Sequence, residues 1–98
     1  MTTRRKYTVF LTGASSGIGA AIAKLLVAHG HQVFATARRS DALAAVAKDA
    51  EKNAGEGGRI ITHVMDVLDR AAHAEAVERC TAEFGGMDVT IPNAGLGI

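Results

Sequence analysis

The chain has 98 residues, which limits it to one small domain, and we expect residues 1–98 to form that single domain. Its 48% hydrophobic and 21% charged residues exclude an intrinsically disordered chain, and a net charge of +1 gives no basis for binding nucleic acid or an anionic membrane. No apolar run approaches the roughly 18 residues of a membrane-spanning helix, and the single cysteine, Cys80, excludes an internal disulfide, so we expect a cytoplasmic protein.

Four short runs of β-forming residues alternate with three longer segments whose apolar residues recur at helical spacing. The predicted strands are residues 7–12, 32–37, 60–65 and 88–91. The predicted helices run from 17 to about 29, from 40 or 41 to the loop at 53–58, and from 70 to 84. Connections of this length favour parallel strands joined by right-handed crossovers.

Particular residues are placed to begin and end these helices. Gly30 and Gly85 follow the first and third helices, where glycine readily adopts the left-handed conformation that closes a helix. Ser40 and Asp41 are N-cap candidates for the second helix, and Asp69 for the third. Their side-chain oxygens can accept hydrogen bonds from the free N–H groups of a first helical turn.

The order βαβαβαβ predicts a Rossmann-like α/β fold, the N-terminal half of a doubly wound parallel sheet with strand order 3-2-1-4. The strands read as continuous apolar runs, which is typical of strands covered on both faces. Strand four would end this sheet as an uncovered edge.

A glycine-rich loop, Thr-Gly-Ala-Ser-Ser-Gly-Ile-Gly, joins the first strand to the first helix at residues 12–19. Gly13 permits backbone angles that other residues avoid, Gly17 lets the main chain approach a diphosphate, and Gly19 lets the helix lie against the strand. Free N–H groups of the first helical turn would face the anion. This context predicts a dinucleotide-binding loop, and a glycine-rich turn that binds nothing is the alternative.

The spacing Thr-Gly-x-x-x-Gly-x-Gly resembles that of the short-chain dehydrogenases/reductases, and the resemblance extends from Tyr7 onward. Two later segments are similar to motifs of that family. Asp66-Val67 resembles the segment whose aspartate accepts a hydrogen bond from the adenine amino group, and Asn93-Ala94-Gly95 resembles one that supports the sheet and lines the cofactor site. The cofactor-binding residues that the resemblance implies are Gly13, Ser15, Ser16, Gly17, Ile18, Gly19, Arg38, Asp66, Val67, Asn93, Ala94 and Gly95.

The end of the second strand indicates which dinucleotide is bound. In dinucleotide folds a carboxylate there bonds the ribose 2′-OH and repels a 2′-phosphate. Ala37 stands at the equivalent position, and Arg38 follows with a guanidinium that can bind a phosphate through two hydrogen bonds, with Arg39 able to assist. We therefore expect NADP(H) to be favoured over NAD(H). Solvated charges at the end of the strand are the alternative.

The reaction of the family needs a Tyr-x-x-x-Lys pair and a serine on the preceding strand. The only tyrosine here is Tyr7, followed four residues later by Leu11, so we assign no catalytic residue. The resemblance implies the cofactor-binding N-terminal part of an NADP(H)-dependent oxidoreductase, which in complete form transfers hydride between nicotinamide and a carbonyl or alcohol and assembles as a homo-oligomer. A non-catalytic nucleotide-binding module and a non-functional remnant are the alternatives.

The remaining reactive residues are expected to be structural. Cys80 has no activating neighbour on its predicted helix, and we expect it to pack as a small apolar residue. Pro92 stands where many family members have a second asparagine, and it removes one N–H donor from the end of strand four. Structural roles are predicted for His29, His31, His63 and His73, and solvated helix faces for Lys48, Glu51, Glu75 and Arg79.

Overall fold

A computed structural model describes residues 5–15 and 17–93 of the chain. Its seven elements alternate strand and helix in the predicted order: β1 (Thr8–Thr12), α1 (Gly17–Ala28), β2 (Gln32–Ala37), α2 (Ser40–Lys52), β3 (Arg59–Val64), α3 (Arg70–Phe84) and β4 (Val89–Pro92). The bounds of β2 are those that the sequence predicts. The starts of β1 and β4 lie one residue later than predicted, and that of β3 lies one residue earlier.

The four strands form one parallel sheet in the order β3-β2-β1-β4, which confirms the predicted topology. In the central strand, Val9 lies beside Val33 of β2 and Val89 of β4. Because all four strands run in the same direction, their carboxyl ends meet at one edge of the sheet, where ligands bind in doubly wound folds. The loops that follow β1, β2 and β3 therefore lie close together.

The core has one layer on each face of the sheet. The first layer includes Leu11 and Val33 from the sheet, packed against Val27 of α1 and Leu43 of α2. The second layer lies beneath α3 and contains the sheet residues Phe10 and Phe34, whose rings stack with centroids 5.6 Å apart, together with Met65, Ala76 and Cys80. These apolar contacts hold α1 and α2 on one face of the sheet and α3 on the other. They thereby hold in place the edge of the sheet that carries the glycine-rich loop.

The prediction that the strands are covered on both faces is correct for β1 and β2 and wrong for the two edge strands, since only Ile60 of β3 is buried. Every residue of β1 is buried, whereas Val89, Thr90 and Pro92 of β4 are exposed. The reason is position in the sheet: in the part of the chain that the structure describes, β3 and β4 each have a neighbouring strand on one side only. An apolar run in the sequence does not reveal that difference, although the predicted strand order does.

The ends of α3 follow the sequence prediction. The Asp69 side chain accepts a hydrogen bond from the backbone N–H of Ala72 at 3.1 Å, which caps the first turn. Gly85 closes the helix in the left-handed conformation, with φ of 80°, and its N–H donates to the carbonyl of Thr81. Gly30 likewise adopts a positive φ of 87° after α1.

The predicted N-cap of α2 is wrong. Arg39 occupies the N-cap position and forms no side-chain capping hydrogen bond, so Ser40 is already the first helical residue. The chain leaves β2 at Ala37, which leaves two residues before the helix begins and places the polar candidates inside its first turn. Asp41 still lies where a negative charge interacts favourably with the helix dipole.

Candidate functional site

The glycine-rich loop is held in a fixed conformation at the end of β1. Gly13 has a φ of 66° and Gly17 a φ of 52°, which L-residues with side chains rarely adopt. Ala14 between them is fully buried, and its N–H donates to the carbonyl of Thr36 at 3.0 Å. The loop is therefore attached to the end of β2 as well as to β1, and the conformational role predicted for Gly13 is confirmed.

Gly19 brings α1 against the loop itself. A Cβ atom at Gly19 would overlap the carbonyl oxygen of Gly13 and lie 2.6 Å from Nδ2 of Asn93. The same Nδ2 donates a hydrogen bond to the Gly13 carbonyl at 3.0 Å. Glycine is thus required at position 19 because the helix, the loop and the end of β4 meet there. The sequence analysis predicted only contact between the helix and the strand.

The first turn of α1 is suited to an anion. The first N–H groups of an α-helix have no partners within the helix, and the helix dipole adds partial positive charge there. The first turn of α1 contains no acidic residue that would compete for these donors. Among the described residues beyond its chain neighbours and its own helix, none has a heavy atom within 4 Å of the position that a Cβ of Gly17 would take, so this side of Gly17 is open.

A cleft of about 480 Å³ opens beside this loop at the carboxyl ends of β1, β2 and β3. Its walls include Gly13 and Ser15 from the loop, Arg38 and Arg39 after β2, and Val67 after β3. Residues predicted separately as cofactor contacts therefore line one cavity. It has the location expected of a ligand site in a doubly wound sheet.

Both arginines at the end of β2 are exposed, and neither forms an ion pair within the described residues. Ala37, which precedes them, is almost fully buried and carries no polar group. The end of β2 therefore presents two guanidinium groups to the cleft and no carboxylate. Together with the helix N-terminus and the open face of Gly17, this donor set fits a ligand that carries a diphosphate and a further phosphate.

Five other predicted site residues that the structure describes do not line the cleft: Gly17, Ile18, Gly19, Asp66 and Asn93. Ile18 is 60% exposed on the first turn of α1. Asp66 is exposed, and its Oδ1 accepts a hydrogen bond from the N–H of Leu68 at 2.9 Å, so one carboxylate oxygen already has a partner within its own turn. Asn93 supports the loop from behind through Gly13. The remaining predicted residues, Ser16, Ala94 and Gly95, lie outside the described residues.

Two residues of the cleft were missed by the sequence analysis. Thr36 and Met65 both line it, and Thr36 also donates from its hydroxyl to the carbonyl of Leu11 at 3.4 Å. Neither belongs to a recognisable motif. The predicted strand order contained the necessary signal, because it places the last residues of β2 and β3 beside the loop that follows β1.

The histidines and the cysteine have structural surroundings. The rings of His31, His63 and His73 pack against Tyr7, Phe34 and Phe10, with centroids 5.4 to 5.6 Å apart. Cys80 is fully buried, and burial raises the pKa of its thiol. No group of three or more potential metal ligands occurs among the described residues, and none of the helices they form is long and apolar enough to cross a membrane.

Comparison with known proteins places this fold and loop in a family. The sequence model described as short chain dehydrogenase matches residues 7–98, so the chain belongs to the short-chain dehydrogenase family. Over 90 residues, 92% of the chain, it is 43% identical to a fatty acyl-CoA reductase of Mycobacterium tuberculosis and 37% identical to an NADP-dependent 3-hydroxy acid dehydrogenase of Salmonella typhi. The matched region is 30% and 34% of those two proteins, so the chain spans about a third of their length.

A solved structure agrees with the fold. The L-sorbose reductase of Gluconobacter frateurii, determined with NADPH and L-sorbose, superposes with a TM-score of 0.83 and is 32% identical in sequence. The match covers 92% of this chain and 34% of the reductase. The protein is therefore an oxidoreductase-family chain with the family's Rossmann-like sheet, and membership in this family implies binding of a nicotinamide dinucleotide.

Proposed function

We propose that the cleft beside the glycine-rich loop binds NADP(H) and that this chain is the cofactor-binding part of an NADP(H)-dependent oxidoreductase. The diphosphate would accept hydrogen bonds from the first turn of α1 at Gly17 and Gly19. Arg38, assisted by Arg39, would bind the 2′-phosphate of the adenosine ribose. When bound, the cofactor supplies a nicotinamide that can give or accept hydride.

The observation that carries this proposal is the pairing of two features at one cleft. Gly13 and Ser15 of the loop line the cleft together with Arg38 and Arg39, and no carboxylate is among the described residues that line it. A carboxylate at this point would repel a 2′-phosphate, whereas a guanidinium can hold it through two hydrogen bonds. The NADP dependence named for the Salmonella relative and the NADPH bound to the sorbose reductase are consistent with this preference.

The remaining site residues have distinct proposed roles. Ser15 lines the cleft and would add a hydroxyl donor to the diphosphate, and Val67 would contact the adenine from the β3 side. Asp66 would accept a hydrogen bond from the adenine amino group through Oδ2, since Oδ1 already binds the N–H of Leu68. Ile18, Ser16, Ala94 and Gly95 complete the proposed set.

The assignment of Arg38 is tested by titrating the 98-residue chain with NADPH and NADH while following nicotinamide fluorescence. We expect Arg38→Ala to weaken NADPH binding by about tenfold, the equivalent of about 1.4 kcal/mol for one charge-assisted contact, and to leave NADH binding nearly unchanged. Arg59→Ala is the matched control, because Arg59 is also exposed but begins β3, at the opposite end of the sheet from the cleft. An unchanged preference of Arg38→Ala for NADPH would refute the assignment.

Catalysis is proposed for the complete protein only, because this chain spans about a third of the relatives above. The second candidate function, carried by the same cleft, is a nucleotide-binding module without catalysis. Thermal unfolding of the chain with and without NADPH tests the cofactor binding that both candidates require. A cooperative transition raised by NADPH supports cofactor binding, and the absence of any transition supports a remnant that does not fold. Alcohol-dependent reduction of NADP⁺ by the chain would contradict the absence of catalytic residues.

A further inference from the structure

Helix α3 is docked on the sheet mainly through small side chains. Its buried residues are Ala76 and Cys80, Ala72 and Val77 pack partly buried beside them, and Phe84 adds one large apolar side chain in the last turn. The small side chains remove little apolar area from water, so each contributes modestly to holding the helix in place. Contacts at the rim of the helix therefore carry a larger share of the docking than they would for a helix with large apolar side chains along its whole inner face.

Arg79 provides the most extensive of these rim contacts. Its Nη1 donates to the carbonyl of Thr62 at 3.1 Å and lies 3.0 Å from Nδ1 of His63, both on β3. Its guanidinium carbon lies 5.7 Å from the centre of the Phe34 ring on β2, and the ring of His63 packs against that same phenylalanine. Arg79 is exposed, as predicted for a solvated face, but its side chain also joins α3 to two strands.

The contact between Arg79 and His63 requires one protonation state of the imidazole. A guanidinium has only donors, so Nδ1 of His63 must accept and the single ring proton must be on Nε2. A second proton would have to occupy Nδ1. It would remove the acceptor and place an imidazolium directly beside the guanidinium.

The carboxylate at this contact pairs with Arg79 and not with His63. On α3 the charged groups at this contact are Arg79 and Glu83, and Oε2 of Glu83 lies 4.0 Å from Nε of Arg79. Strand β2, Gln32–Ala37, contributes the uncharged ring of Phe34 and contains no titratable residue. None of the carboxylates in the described residues lies within 4.0 Å of a nitrogen of His63.

We propose that His63 and Arg79 form an acid-sensitive latch that holds α3 on the sheet while His63 is neutral and releases it when His63 is protonated. Acid would open the latch, because the added proton at Nδ1 takes the place of the hydrogen bond from Arg79. The segment between β3 and α3 includes Met65 and Val67, which line the cleft, so release of α3 would loosen one of its walls. The latch does not depend on which ligand the cleft binds.

The single thiol of the chain reports the docking of α3 directly. Cys80 is a residue of α3 itself, fully buried where the helix meets the sheet and one residue after Arg79. Its rate of reaction with 4,4′-dithiodipyridine, which labels thiols in acid as well as in alkali, therefore measures how often the helix opens. A thermal melt reports the stability of the whole chain, so it would not separate an effect at His63 from an effect at His31. Nδ1 of His31 also accepts a hydrogen bond, which the N–H of Tyr7 donates at 3.1 Å.

The experiment compares labelling of the 98-residue chain at pH 8 and pH 5 with that of His63→Gln, because glutamine can accept from Arg79 and does not titrate. Rates for each protein at each pH are divided by the rate in denaturant, which removes the intrinsic pH dependence of the reagent. Loss of one hydrogen bond to a charged donor raises the equilibrium constant for opening of the helix by about tenfold. We therefore expect acid to accelerate labelling of the unaltered chain about tenfold more than labelling of His63→Gln.

Two further variants complete the test. His29→Gln removes an exposed histidine at the end of α1 and should keep the full acid response. Arg79→Met removes the donor, so labelling should be fast at both pH values with no acid response. An equal acid response in the unaltered chain and in His63→Gln would overturn the proposal, as would labelling of the unaltered chain at pH 8 as fast as in denaturant.

Discussion

Replacing Gly19 with alanine tests how α1, the loop and β4 fit together. Alanine is normally favoured over glycine inside a helix by about 1 kcal/mol, so the substitution would stabilise α1 in isolation. Here the added Cβ would overlap the carbonyl oxygen of Gly13 and approach Nδ2 of Asn93 to 2.6 Å. Overpacking of this kind costs about 1–3 kcal/mol, and loss of the Asn93 hydrogen bond costs about 1 kcal/mol. The helix gain offsets the lost bond, which leaves a net destabilisation of about 1–3 kcal/mol.

The measurement is urea unfolding of the 98-residue chain followed by far-ultraviolet circular dichroism. Ala21→Gly is the matched control, because Ala21 is exposed on the same helix and reports only the helical preference of alanine over glycine. In an Asn93→Ala background, Gly19→Ala should cost less, because one of the two atoms in its way is gone. A Gly19→Ala chain as stable as the unaltered chain would show that the close contact between helix and loop is not required.

Three further substitutions probe contacts seen in the structure. Asn93→Ala should lower the free energy of unfolding by about 0.5–1.5 kcal/mol, because the donor to the Gly13 carbonyl is lost. Asn93→Asp should lower it further at neutral pH, because a carboxylate would face that carbonyl. Equal stability of the two variants and the unaltered chain in urea would contradict this. Asp69→Ala should cost about 1 kcal/mol by removing the cap that accepts from Ala72, and Asp69→Asn should cost less, as measured by thermal melting. Burial raises the pKa of the Cys80 thiol above its ordinary value of 9.0. The unaltered chain should therefore lose stability relative to Cys80→Ala as the pH rises above about 9. A constant difference in stability between the two chains up to pH 11 would argue against this prediction.

Most of the features predicted correctly from sequence are those that depend on neighbouring residues. Asp69 caps α3 and Gly85 closes it because both roles are set within one helical turn. The strand order is not a local feature, and it was predicted because the alternation of elements is typical of a doubly wound fold with that order. The positive φ of Gly13 followed from the need to turn from strand into helix.

The features that the sequence did not reveal depend on contacts between distant segments. Arg79 has the sequence surroundings of a solvated charge, and only the position of β3 beneath α3 gives it Thr62 and His63 as partners. The N-cap of α2 is set by where β2 ends rather than by the nearest polar residues. Thr36 enters the cleft because three strands end there together, which no local pattern indicates.

The most direct test of the central proposal is to map NADPH onto the chain by nuclear magnetic resonance. Amide signals of a ¹⁵N-labelled 98-residue chain would be followed during titration, with NADH as the comparison ligand. We predict saturable shifts at Gly13, Gly17 and Gly19 for both cofactors, and shifts at Arg38 that are larger for NADPH. Shifts confined to the opposite end of the sheet, for example at Gly57, or no shifts at all, would contradict the proposed site.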